Sequence, residues 1–245
     1  MMRFIFCFLL SIFCFSAQAL PPGLISVQPI SGGLVAWWSM NQISGATFGT
    51  DLSGYGHFLT PYNLAGGSPP SFAQYFTNSG QHLQCSTYSR SYYSFSSFSG
   101  LPTGANPCTL AFWIYPIYDG SYPAIPFAYG ASGYAATRFL YISNSGGSAI
   151  TISDSTSPNP ITVQDNVWSH VVLSNDGSYT TFFINGVWTS KITCVPNPSN
   201  PVTFGAIGAA YDVTGFAFRG FLFDFRVYNR TLSTNEVLQL YNQYN

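Results

Sequence analysis

The chain has 245 residues, 47% hydrophobic and 18% aromatic, with a formal net charge of −1. Charged side chains make up 6% of it, against roughly 25% in ordinary soluble domains. No cluster of Lys or Arg occurs, which excludes a surface that tracks phosphates and so excludes nucleic acid as a partner.

The first residues read as an export signal. Arg3 supplies a positive start, residues 4–15 are an apolar run broken by Ser11, and Ala17-Gln18-Ala19 is a small-x-small cleavage site. The apolar stretch falls short of the roughly 20 residues that span a bilayer. Residues 1–19 are therefore expected to be a signal peptide, 20–32 a lead-in and 33–245 one domain. The protein is expected to be secreted, with no membrane span after cleavage. Removal of the signal takes Cys7 and Cys14 with it and leaves Cys85, Cys108 and Cys194. Cys85 and Cys108 flank a Ser/Tyr-rich stretch, and a bridge there would add about 3 kcal/mol in the chain-entropy view. Cys108 with Cys194 is the rival pairing.

Along the rest of the chain, turn signals punctuate short runs rich in Val, Ile, Thr, Phe and Tyr. They include Ser53-Gly54, Gly66-Gly67, Asp119-Gly120, Asp176-Gly177 and Asn185-Gly186. That rhythm predicts an antiparallel sandwich. Residues 108–115 are apolar on both faces and read as a central strand. Asn185-Gly186 between two apolar runs predicts a hairpin. In the closing strand, Phe221, Phe223, Phe225 and Val227 are expected on one face. Leu222, Asp224, Arg226 and Tyr228 fall on the other, with Asp224 and Arg226 expected to form a structural ion pair. Ser233 and Glu236 form a capping box that opens a terminal helix carrying Val237, Leu238, Leu240 and Tyr241 on one side.

In this order the segments resemble a laminin-G-like jelly roll of the concanavalin A-like lectin/glucanase superfamily, over about residues 30–245. Residues 33–40 resemble the family's first aromatic strand. Asp51-Leu52-Ser53-Gly54-Tyr55-Gly56-His57 is similar to its Asp-x-Ser-Gly-x-Gly turn, and residues 109–116 resemble the Trp-bearing strand that ends before a Pro. Trp168-Ser169-His170-Val171, Asn185-Gly186 and residues 220–236 resemble its hairpin and its closing strand and helix. The resemblance implies an all-β fold: a two-sheet antiparallel β-sandwich (jelly roll) with a short C-terminal helix. It departs where many relatives have acids: Asn41-Gln42 follows the first strand, and Phe223-Asp224 precede Arg226. A calcium site of the family type needs several charged oxygen ligands. No metal or other cofactor is expected, and Asp51 is read as a turn residue or, failing that, as the candidate ligand.

Residues 86–107 look like an insertion. Loops carry binding in sandwich folds, so Tyr88, Arg90, Tyr92 and Tyr93 are the expected contact residues; the other reading is a disulfide-tethered cover over one sheet edge or core end. His170 is expected to be a packed strand histidine. Retaining glycosidases use two carboxyls about 5 Å apart. Here the one glutamate, Glu236, caps a helix, and no strand carries closely spaced acids. Catalysis is not expected. Asn229-Arg230-Thr231 forms a glycosylation sequon at Asn229. A module that binds a glycan or an extracellular protein is the leading expectation. A self-assembling coat, matrix or filament subunit follows, since the sparse charge leaves self-association open, and a glycoside hydrolase is third.

Overall fold

A computed structural model describes residues 30–40, 49–63, 71–73, 82–85, 91–117, 124–130, 137–144, 148–152, 161–193, 198, 201–208 and 218–244. The signal segment, Tyr88, Arg90 and Cys194 lie outside the described residues. Two antiparallel sheets make up the fold. The first runs β13 (Val187–Ile192), β12 (Thr180–Ile184), β11 (Ser169–Asn175), β6 (Cys108–Pro116), β15 (Gly220–Tyr228), β4 (His82–Cys85) and β3 (Ser71–Ala73), and β1 (Leu34–Trp38) also pairs with β15. The second runs β10 (Ile161–Val163), β9 (Ser148–Ile152), β8 (Thr137–Asn144), β7 (Ala124–Gly130), β14 (Phe204–Ile207), β5 (Ser91–Ser94) and β2 (Thr60–Asn63). One helix, α1 (Thr234–Asn242), follows β15. Among the described residues, no helix is long and apolar enough to cross a membrane.

Alternation along β6 explains why it is central. Leu110, Phe112 and Ile114 enter the main core, where they meet Val171, Leu173, Phe182, Phe225, Phe127 and Tyr129. Ala111, from the opposite face, joins a second cluster with Val172, Phe183, Tyr228, Leu232, Val237 and Leu240 under α1. The expected hairpin forms, with Asn185 at φ 52° and Gly186 at φ 77°, the left-handed pair that a two-residue turn needs. The capping box also forms: Ser233 Oγ accepts from Glu236 N–H at 3.4 Å, and Glu236 Oε2 accepts from Ser233 N–H at 2.8 Å. Arg230 holds the same carboxylate through both guanidinium ends, 2.5 and 3.1 Å. That pairing, set against a smaller burial effect, pulls the Glu236 carboxyl down to about 2.

Two expectations need correction. First, β15 does not keep one face throughout. Its register against β6 shifts between Phe223 and Arg226, and Asp224 sits at φ 49°, so an extra residue bulges there. The bulge inverts the parity: Leu222, Phe225 and Val227 face the main core, while Phe223 meets the Tyr244 ring and Tyr228 joins the cluster under α1. Second, Cys85 and Cys108 lie at opposite ends of β15. Cys85 stands opposite Gly220, which on its other side faces Pro116. From Pro116 back to Cys108 is the full length of β6, roughly 26 Å at about 3.3 Å per residue, where a disulfide needs Cα atoms within about 7 Å. This strand order does not make that bridge. Cys108 is buried at the head of β6.

Candidate functional site

Asp51 is the root of the site. It follows the isolated bridge that starts at Gly49, opposite Leu59, and its side chain turns back to collect the donors of its own turn. Oδ1 accepts from Trp37 N–H at 3.0 Å and Ser53 N–H at 2.9 Å. Oδ2 accepts from Ser53 Oγ at 2.8 Å and His57 N–H at 2.9 Å. Burial raises the pKa of such a carboxyl, but the bonds from His57, Ser53 and Trp37 outweigh it and leave Asp51 below the ordinary value. With both oxygens so bonded, Asp51 holds its own turn together. Gly54 at φ 90° and Gly56 at φ 82° provide the reversals.

His57 fastens the turn to the second sheet. Its ring is fully buried, and Nδ1 lies 2.6 Å from the carbonyl of Ser97, just beyond β5. Its own carbonyl accepts from Trp38 Nε1 at 2.5 Å. Trp38 is itself a core anchor, within ring contact of Phe95, Phe127 and Phe225. One short turn is thus bonded to β1 in one sheet and to the segment after β5 in the other.

Fixed that way, the turn leaves three large apolar side chains in solvent: Leu52 at 47% exposure, Tyr55 at 43% and Phe58 at 56%. The Tyr55 ring lies parallel to that of His57. Its edge rests on Gly100, where an added Cβ would come within 2.7 Å of the ring. Ser96, Ser99 and Gly100 are exposed on the segment that Ser97 joins to His57. Residues 49–63 and 91–107 carry one charged side chain, the buried Asp51. Replacing Asp51 by Asn should lower stability by about 2–3 kcal/mol, because an amide nitrogen would face the Ser53 and His57 donors. Urea unfolding of the variant beside the wild type measures it; equal midpoints would contradict the bonded-turn picture.

The tyrosine-rich stretch behaves differently from the contact loop expected. Tyr92 and Tyr93 belong to β5, paired with Tyr62 and Pro61 of β2, and Tyr93 also faces Ile207 of β14. They are 8% and 0% exposed. Tyr93, Phe95 and Leu101 enter the main core, with Phe98 packed against it. Aromatic residues in alternation favour a half-buried strand, and β5 lies within the second sheet, between β14 and β2, so Tyr92 and Tyr93 form neither an exposed contact loop nor a cover over a sheet edge. Tyr55 and Phe58 went unread although their turn was recognised. The available signal was large apolar residues placed among glycines in a turn too short to fold over them.

Asp224, Asp176 and Glu236 are each in structural bonds. Asp224 forms a buried pair with Arg226, 2.9 Å between Oδ2 and Nη2. Asp176 accepts from Ser178 and Tyr179 N–H in its turn, and Glu236 is held as described above. Asp119, Asp154 and Asp212 lie outside the described residues. His170 is packed as expected, 2% exposed and against Trp113 and Tyr241. Asn229 is exposed at the exit of β15, its N–H donating to Gly33 O at 2.8 Å.

Several solved structures share the fold. Domain 4 of AbnA, a GH43 extracellular arabinanase from Geobacillus stearothermophilus, solved with arabinotriose, superposes with a TM-score of 0.63 at 18% identity, covering 84% of this chain and 97% of that one. A structure concerning cell entry of botulinum neurotoxin type C, dependent on two ganglioside molecules, gives 0.60 at 14% identity. The binding domain of botulinum neurotoxin DC, with rat synaptotagmin II, gives 0.62 at 13%. Each of these two toxin comparisons covers 88% of this chain and 52% of the other, about half its length. Among curated proteins none matches. A laminin-G family model described as concanavalin A-like lectin/glucanases superfamily matches residues 87–238, more than half of the chain, which accordingly belongs to that superfamily.

Proposed function

We propose that this is a secreted, non-catalytic recognition module that binds a glycan or an extracellular protein through the turn at residues 51–58. The observation that carries the reading is the exposure of Leu52, Tyr55 and Phe58 on a turn whose carboxylate is saturated with hydrogen bonds. An apolar surface carried on a hydrogen-bonded turn has less backbone freedom to lose on binding, which favours recognition. The acids with described partners, by contrast, are tied into bonds that hold the fold, which argues against a hydrolytic pair. Structural neighbours solved with arabinotriose or with rat synaptotagmin II support a binding role by analogy of fold. Incubating the mature chain with a glycan array and an array of extracellular proteins tests it. Selective retention on either is the expected result; blank arrays on both sides would reject it.

A second reading, self-assembly, has its own observation. The edge strand β13 exposes Val187 at 66% and Trp188 at 58%, and Leu238 of α1 is 43% exposed beside the hairpin at Gly186. Unpaired edges and apolar patches of this kind favour association. Light scattering on a concentration series should show a mass that rises in the wild type and rises less in Trp188→Ser. A constant monomer mass would remove this reading.

A further inference from the structure

We infer that the ligand of the 51–58 turn is a neutral glycan, with the ring of Tyr55 as its stacking surface and Phe58 as a second apolar contact. This rests on the recognition reading above and narrows it to one ligand class and to named residues.

Four observations converge. The first is ring chemistry. The face of a sugar that carries its C–H bonds is apolar and faintly positive, and it complements the negative face of an aromatic ring. Tyr55 and Phe58 offer such rings at 43% and 56% exposure. The second is placement. Tyr55 is steadied by Gly100 at its edge and by the buried His57 ring parallel to it, so it need not be ordered at the moment of binding. Tyr55 carries a hydroxyl of its own, and Ser96 and Ser99 are exposed on the segment that Ser97 ties to His57. They donate and accept as sugar hydroxyls require.

The third observation is charge. Neither segment of the site contains Lys or Arg, and the one carboxylate is buried beneath the turn. Acidic sugars, sialylated, sulfated or uronic, are gripped by charge-assisted bonds from guanidinium or ammonium groups. Among the described residues this surface offers none, which favours an uncharged ligand. The fourth is size. A stable protein interface engages about 20–30 residues a side, whereas among the described residues the exposed apolar surface of this turn comes from three side chains within seven positions. That footprint suits one or two sugar rings.

The test uses the mature chain, with Tyr55→Ala, Tyr55→Phe and Phe58→Ala. Probes are immobilised neutral glucosyl, galactosyl, xylosyl and arabinosyl oligosaccharides, with sialyllactose and a heparin fragment as the acidic arm. The strongest neutral binder is then titrated against each variant. These side chains are exposed, so thermal midpoints close to that of the wild type establish that the variants are folded. The wild type should retain neutral probes and ignore both acidic ones. Tyr55→Ala should weaken binding about tenfold or more, as loss of an aromatic anchor does. Tyr55→Phe should keep most of the affinity, since the ring remains. Neutral binding that is unchanged in Tyr55→Ala and Phe58→Ala would overturn the site while leaving a carbohydrate-binding module in place. Preference for sialyllactose or heparin would overturn the neutrality argument alone. Retention of no sugar by the wild type would overturn the glycan assignment altogether and leave only a protein partner.

Discussion

Between pH 6.5 and 5 His170 should cost the domain up to about 1.4 kcal/mol of stability for each pH unit, and His170→Phe should remove that contribution. His170 lies in β11 with 2% exposure, its ring against Trp113 and Tyr241. Burial, with the Arg226 charge as a second cause, pushes its pKa down to about 3. In the unfolded chain the same imidazole protonates near 6.5. Below that value the unfolded state takes up a proton that the folded state refuses, so unfolding is favoured as pH falls. The contribution is fully present above 6.5 and is lost progressively down to about 3. Carboxylates with depressed values, such as Glu236, act in the same direction but begin only below their unfolded values near 4.5, which leaves the upper window to histidine. Urea midpoints of the wild type and His170→Phe at half-unit steps provide the comparison. The Phe variant keeps a ring beside Trp113, so its curve should fall less steeply than that of the wild type across the window. Parallel slopes in the two proteins would mean that His170 is not held neutral.

How far the sequence could be read depended on whether the deciding interaction was local. Asn185-Gly186 and the Ser233–Glu236 box are complete within a few residues, and both formed as expected. So did the double-faced β6, because its alternation needs no partner to be recognised. The faces of β15 were not legible. Nothing in Phe223-Asp224-Phe225 announces a bulge, and the left-handed backbone at Asp224 follows from partners far away, among them Trp37, whose Nε1 donates to Asp224 at 2.7 Å. Tyr92 and Tyr93 looked like a contact loop because they stand among serines; their burial depends on β2 and β14, which approach from distant sequence. The cysteine spacing misled for the same reason, since nearness along the chain became separation across β15. Tyr55 and Phe58 mark the opposite case. Their turn was legible, and only its consequence, apolar side chains with no room beneath them, went undrawn.

Asp224→Asn should cost about 3–5 kcal/mol, the penalty for leaving one member of a buried ion pair without the other. Asp224 and Arg226 side chains are 4% and 2% exposed and meet through two contacts, Nε to Oδ1 at 3.0 Å and Nη2 to Oδ2 at 2.9 Å. Burial works against the guanidinium charge, and the Asp224 carboxylate more than offsets it, leaving Arg226 protonated with its pKa above the ordinary value. Around the pair, Trp37 donates to Asp224 and lays its ring against the guanidinium at 4.6 Å. Gln243, just past α1, accepts from Nη2 at 2.8 Å. Asn tolerates the left-handed backbone at this position, so the substitution tests the charge and not the bulge. Arg226→Met should be comparably damaging, since it strands the carboxylate with Trp37. The double variant should recover much of the loss, because two uncharged side chains no longer leave a lone charge in a dry site. Urea unfolding of all four proteins yields the coupling directly. In a domain whose whole stability is of order 5–15 kcal/mol, either single change brings the fold close to its limit. If both singles unfold within about 0.5 kcal/mol of the wild type, the pair is solvated like a surface ion pair, and its place in anchoring α1 over the first sheet falls with it.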